Sequence, residues 1–228
     1  MRGAGLVFLL VLLLLCLPGC PERSPPYVDP PITSSSCSQF VGDPQAPPRI
    51  DLVYRTADGR VAPLTEGAML PLTTPPQGGK MIFPGVVAHN MDTCAVEIVG
   101  AVRDECTNRV IGLEGRPVNL YLYDGQDGGT PAAPEQLSNF ANVPLCPNGA
   151  SSRNVNGEPY RLEVRVTDRA GRTASAMAHV VPTCAEPDRL LECLCTCRKG
   201  YRLGETCTTL PDAGPAGSCP TDAGIDAN

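Results

Sequence analysis

Twelve cysteines dominate the chemistry open to this 228-residue chain. At such density thiols either pair as disulfides or, as thiolates, hold zinc. The tightest group is Cys193, Cys195, Cys197 and Cys207, which is the one candidate zinc quartet. Disulfides outcompete zinc for such a group in an oxidising compartment. Nucleophilic catalysis needs a base beside the nucleophile, usually histidine. The chain has two histidines, His89 and His179, and neither a Gly-x-Ser-x-Gly nor a His-Glu-x-x-His string. His89 with Met91 and Asp92 offers imidazole, thioether and carboxylate, but one short segment supplies too few ligands for copper and reads as a strand end entering a polar turn. Asp124-Gly125-Gln126-Asp127-Gly128-Gly129 has carboxylates spaced as in part of a calcium loop, but Gln126 and Pro134 depart from the full pattern and a Gly-rich turn accounts for it. The expectation is therefore no catalytic residue, no metal site and no cofactor, with a lipid-anchored hydrolase or a metal-binding carrier as the rival readings.

The first residues bear on where these thiols operate. Met1-Arg2-Gly3 is followed by an uncharged apolar run from Leu6 that closes on Leu17-Pro18-Gly19-Cys20. The run is shorter than the roughly 20 residues that span a bilayer, so it reads as an export signal over 1–19. Leu17, Gly19 and Cys20 resemble the bacterial lipobox, in which the cysteine receives diacylglycerol before cleavage; Pro18 departs from it, and cleavage by an ordinary signal peptidase is the competing outcome. The resemblance implies lipidation of Cys20 and, with Pro21 rather than Asp next to it, an outer-membrane address. Acyl chains contribute about 0.8 kcal/mol per buried methylene, so two or more hold a protein at a membrane durably. Cys16 leaves with the signal and Cys20 is taken by lipid. What remains is an even set for disulfides: Cys37, Cys94, Cys106, Cys146, Cys184, Cys193, Cys195, Cys197, Cys207 and Cys219.

A formal net charge of -6, with Lys80 and Lys199 the only lysines, leaves no basic stripe for phosphates and excludes nucleic acid as a partner. The absence of Trp disfavours a carbohydrate-stacking platform. The expected partners are the membrane, through the lipid, and an envelope protein.

The elements that must position the cysteines are mostly β. Residues 20–48 are rich in Pro and Ser and read as a tether. From 49 to 183 short β-branched runs alternate with turn residues, with candidate strands at Ile50–Arg55, Met69–Thr73, Lys80–His89, Ala95–Arg103, Val118–Tyr123, Tyr160–Thr167 and Thr173–Val181. The clearest is Tyr160–Thr167, where Tyr160, Leu162, Val164 and Val166 alternate with Arg161, Glu163 and Arg165. Asp168-Arg169-Ala170-Gly171 supplies a turn, and Thr173–Val181 returns with Ala174, Ala176, Ala178 and Val180 on one face. The Gly- and Pro-containing stretch from Tyr123 to Pro144 reads as a long surface loop suited to binding. Residues 184–207 form a cross-linked cysteine-rich module, and 208–228 read as a disordered tail.

The string Tyr160-x-Leu162-x-Val164-x-Val166-Thr167-Asp168-x-x-Gly171-x-x-Ala174 resembles the last hairpin of immunoglobulin-like bacterial surface domains. Over about 25 residues this implies a seven-stranded sandwich ending in this hairpin, although the core Trp usual in that family is missing. Cys195-x-Cys197-x-x-Gly200-Tyr201-x-Leu203-x-x-x-Cys207 resembles the C-terminal half of an epidermal-growth-factor-like module whose first half is absent, so a small disulfide knot packed on the sandwich is expected. The lipobox, the Pro-rich tether, Pro75-Pro76-Gln77-Gly78-Gly79 before a strand, and the repeated Asp-Ala-Gly at Asp212-Ala213-Gly214 and Asp222-Ala223-Gly224 together resemble myxobacterial-type outer-membrane lipoproteins, a family with an envelope address and no known activity. The fold class expected is mostly β: an immunoglobulin-like β-sandwich followed by a small disulfide-rich knot, between a disordered tether and a disordered tail. The function expected is noncatalytic, a structural or protein-binding envelope lipoprotein.

Overall fold

The computed structural model describes residues 40–121, 128, 130–131, 137–209 and 219. Cys20, Cys37, most of the tether, Asp124 to Asp127 and nearly all of the tail lie outside them.

Fourteen strands and one short helix are described. In chain order the strands are β1 (Phe40–Val41), β2 (Arg49–Arg55), β3 (Val61–Pro63), β4 (Ala68–Leu72), β5 (Lys80–Ile82), β6 (Pro84–His89), β7 (Met91–Asp92), β8 (Val96–Arg103), β9 (Val110–Val118), β10 (Leu120–Tyr121), β11 (Thr130–Pro131), β12 (Val143–Cys146), β13 (Tyr160–Thr167) and β14 (Thr173–Cys184). The helix α1 covers Leu190–Thr196. The largest sheet has the order β4-β14-β13-β8-β9, in which β4 runs parallel to β14 and the other neighbours are antiparallel. A second sheet is β3-β2-β6, and three two-stranded pairs are β5 with β12, β1 with β7, and β10 with β11.

The expected hairpin is present with the expected faces. Tyr160, Leu162, Val164 and Val166 of β13 are buried, as are Ala174, Ala178 and Val180 of β14. Its turn is held by Asp168, whose Oδ1 accepts the N–H groups of Ala170 and Arg172, both at 2.9 Å, while Gly171 takes φ +79°, which a side chain disfavours. The other carboxylate oxygen accepts the N–H of Asp92, so the same side chain reaches β7. One hydrophobic cluster draws on every layer: Ile50, Leu52 and Val86 from the three-stranded sheet, Ile98, Leu162 and Val180 from the five-stranded one, and Ile82, Val143 and Leu145 from the β5–β12 pair.

Several elements differ from the sequence expectation. The Lys80–His89 run is two strands that part at Phe83. The chain joins a sheet already at Phe40, before the expected start at 49. β9 and β12 were not expected, because Gly112, Gly115 and Pro117 weaken one pattern and Pro144 the other. Their position explains the composition. β12 passes so close to β9 that a Cβ on Gly112 would lie 2.4 Å from the Pro144 carbonyl oxygen and 2.8 Å from the Leu145 side chain. Pro117 is tolerated because β9 is the edge of its sheet. The end of the expected Tyr123–Pro144 surface loop is also structured: Phe140 is fully buried beside Met81 and Phe83, and Asn139 Oδ1 accepts the Asn119 N–H at 3.3 Å.

A Gly112→Ala variant is expected to lose about 1–3 kcal/mol by overpacking against β12. Urea denaturation checks this, with the exposed neighbour change Leu113→Ala as a control close to wild type; an unchanged midpoint for Gly112→Ala would contradict the close approach.

Candidate functional site

β14 ends at Cys184, and after Glu186-Pro187 the chain turns into α1, which carries Cys193, Cys195 and, at its C-cap, Cys197. Four disulfides are described: Cys184–Cys193, Cys146–Cys197, Cys195–Cys207 and Cys106–Cys219. Cys94 is also disulfide-bonded, to a partner outside the described residues. The quartet Cys193, Cys195, Cys197 and Cys207 is not assembled as a unit, since Cys195 and Cys207 bond to each other. The sulfurs that do converge are those of Cys184, Cys193 and Cys197, within 4.8 Å of one another, and each is already committed to a disulfide. Cys193 and Cys197 belong to the main hydrophobic cluster, so the cysteine-rich segment is joined to the core through these two residues. In the chain-entropy account a cross-link spanning 51 residues, as Cys146–Cys197 does, contributes about 4 kcal/mol, and one spanning 113, as Cys106–Cys219 does, about 5 kcal/mol.

A second device fastens the same segment. The Lys80 side chain is 0% exposed; its ammonium donates to Thr74 Oγ1 and to Glu186 Oε2 at 3.3 Å, and lies 3.8 Å from Glu192 Oε1. Glu186 also accepts the Thr74 N–H at 2.9 Å. Burial alone raises the Glu186 pKa, but the Thr74 hydroxyl and N–H and the Lys80 ammonium outweigh it and hold the group below the usual carboxylate value. One of only two lysines in the chain thus fixes β5 to the approach to α1 and to its first turn. Nothing in the sequence pattern distinguished Lys80 from a solvated side chain.

At the start of β13 the Tyr160 hydroxyl donates to the Asn154 carbonyl oxygen at 2.9 Å and is 2.7 Å from Ser151 Oγ, while the Arg153 guanidinium lies over its ring at 5.1 Å. Burial pushes the phenol up to about 12, so it stays protonated and able to donate. Beside it, buried Asp104 accepts the N–H groups of Ser152 at 2.6 Å and Cys106 at 2.8 Å. Burial would raise its pKa, yet these hydrogen bonds prevail and lower it.

The two histidines are separated. His89 is buried, with Nε2 3.1 Å from Asp51 Oδ2, while Met91 points into the core and Asp92 Oδ1 accepts the Cys94 N–H, so the three candidate copper ligands diverge. His179 is on the outward face of β14, between Glu66 at Nδ1 and Glu105 at 2.9 Å from Nε2. That outward face also carries the largest exposed apolar side chains of the five-stranded sheet. Met177, 70% exposed, Glu163, Ala101 and Leu113, 59% exposed, stand in one row across β14, β13, β8 and β9. They line a groove of 580 Å³ together with Arg103 and Arg165, and the Glu163 carboxylate is bound by Arg103 at 3.0 Å and by Arg161 at 2.9 Å. The alternation in β13 anticipated Arg161, Glu163 and Arg165; Leu113 was missed with its strand.

No family model matches the chain, and no curated protein or solved structure is significantly similar to it.

Tyr160→Phe is expected to cost about 1–2 kcal/mol, because Ser151 Oγ and the Asn154 carbonyl each lose a buried partner; thermal unfolding checks it, and an unshifted transition would contradict a structural role for the hydroxyl. Asp104, Glu163 and Glu186 all have depressed pKa values in the folded state. The stability they contribute is present above their unfolded values and is lost as pH falls through the folded ones. Urea midpoints should therefore change little between about pH 5 and 7 and fall steeply below about pH 4. A midpoint at about pH 3 equal to that at neutrality would be incompatible with these carboxylate contacts.

Proposed function

We propose that this chain is a noncatalytic, exported lipoprotein, anchored at the outer membrane through Cys20, that displays an immunoglobulin-like β-sandwich for a structural or protein-binding role. The observation that carries this reading is the oxidation state of the thiols. Every described cysteine is in a disulfide, which needs an oxidising compartment, and the bond at Cys94 calls for one partner among Cys16, Cys20 and Cys37. Loss of Cys16 with the signal and acylation of Cys20 leave Cys37. Among the described residues no helix is long and apolar enough to cross a membrane, so the anchor in this reading is lipid.

Three features support the sandwich. A terminal hairpin, β13–β14, is flanked on one side by β8 and β9 and on the other by a parallel strand, β4. β5 pairs with β12 outside that sheet. The Tyr160 hydroxyl bonds a backbone carbonyl six residues upstream at the start of β13, as the tyrosine corner of immunoglobulin-like domains does. The exposed Met177 and Leu113, with Arg103 and Arg165 lining the groove between them, form the surface that supports a binding role.

The test is the intact mass of the membrane-extracted protein, followed by peptide mapping without reduction. The expected result is a chain beginning at acylated Cys20, no free thiol, and a Cys37–Cys94 linkage. An unacylated chain, or Cys94 joined to Cys20, would overturn the lipoprotein reading.

A further inference from the structure

Four sulfurs from three elements meet at one side of α1. Cys184, at the end of β14, bonds Cys193, and Cys146, at the end of β12, bonds Cys197. Cys193 and Cys197 are four residues apart on the helix, which places both side chains on one face, and their Sγ atoms are 4.0 Å from each other. Access to the four is unequal. Cys193 and Cys197 are each 1% exposed and Cys146 is buried, whereas Cys184 is half-buried and is the most exposed residue of the four.

We propose that this cluster is a thiol–disulfide relay through which one external thiol detaches α1 from both strands. A small-molecule thiolate attacks Cys184 Sγ, forming a mixed disulfide there and expelling Cys193 as a thiolate. Cys193 then attacks Cys197 Sγ, 4.0 Å away, forming a Cys193–Cys197 bond and expelling Cys146 as a thiolate, which takes a proton from solvent. Each step breaks one S–S bond and makes one, so no oxidant or further reductant is consumed. Residues four apart on a helix have Cα atoms about 6 Å apart, inside the range a disulfide spans. Cys197 is the C-cap, with φ -94° and ψ 2°, and its place at the helix end lets the backbone close the remaining gap between the Cβ atoms. The exchange replaces links spanning 9 and 51 residues with one local link, and leaves in place Cys195–Cys207 within the module, Cys106–Cys219 beyond it, the Lys80 contacts to Glu186 and Glu192, and the hydrogen bonds joining Cys197 and Lys199 to the Asn154–Val155 segment. The relay does not depend on whether Cys20 carries lipid.

Limiting reduced glutathione added to the oxidised full chain, then alkylation and peptide mapping, tests it. The expected products are glutathione on Cys184, a Cys193–Cys197 linkage and alkylated Cys146. Alkylated Cys193 with Cys146–Cys197 intact would overturn the relay. In the Cys184→Ser, Cys193→Ser double variant, alkylation of Cys146 at the same glutathione concentration is expected to slow at least about tenfold. Equal rates in both proteins would mean that Cys146–Cys197 is attacked directly, and the relay would fall on that result as well.

Discussion

The Cys146–Cys197 bond joins the end of β12 to the C-cap of α1, and through it the C-terminal segment becomes part of the core. This chain has no Trp and four Phe, one of them in the first ten residues, so its interior is built mainly from Val, Leu, Ile and Ala. Such side chains bury less area each than aromatic ones. Covalent links compensate by narrowing the unfolded ensemble, most strongly where they span long stretches of sequence. The bond from Cys146 does this at the C-cap of a helix only seven residues long, which packing alone would hold weakly, alongside the Cys184–Cys193 bond and the Lys80 contacts.

Around that bond the polar contacts form a second layer of fastening. Lys80 reaches from β5 to Glu186 and Glu192, and Asp168 ties the β13–β14 turn to β7. Asp104 holds the turn after β8 against the segment leading to Tyr160. Each of these carboxylates or ammonium groups is buried or partly buried and satisfied by more than one partner, as burial requires. The outward face of the large sheet contrasts with this, keeping Met177 and Leu113 exposed beside paired charges.

What the sequence disclosed follows from how local each signal is. The β13–β14 hairpin was legible because alternation and turn chemistry are both contained in the stretch 160–181, and the pairing register matches the expected faces. β9 was hidden in part because Gly112 answers to a neighbour distant in sequence, the Pro144–Leu145 segment that passes over it. The disulfide set was legible as a composition, but its connectivity was not. Cys146 lies 51 residues from Cys197 and Cys106 lies 113 from Cys219, and no local pattern encodes such pairings. Lys80 was missed for the same reason, since its carboxylate partners lie more than 100 residues away. The cysteine-rich segment was legible as a cross-linked module, but that Cys193 and Cys197 also belong to the main hydrophobic cluster was not, because it follows from the distant bond to Cys146.

The most direct measurement is thermal unfolding followed by far-ultraviolet circular dichroism, on the oxidised chain and on the same chain fully reduced and alkylated. If covalent links supply what the small core lacks, the oxidised protein unfolds in one cooperative transition and the reduced protein shows none, its strand signal already lost at room temperature. A reduced chain that keeps its β signal and melts within a few degrees of the oxidised one would show that packing alone sustains the fold, and would contradict the dependence of this core on its disulfides.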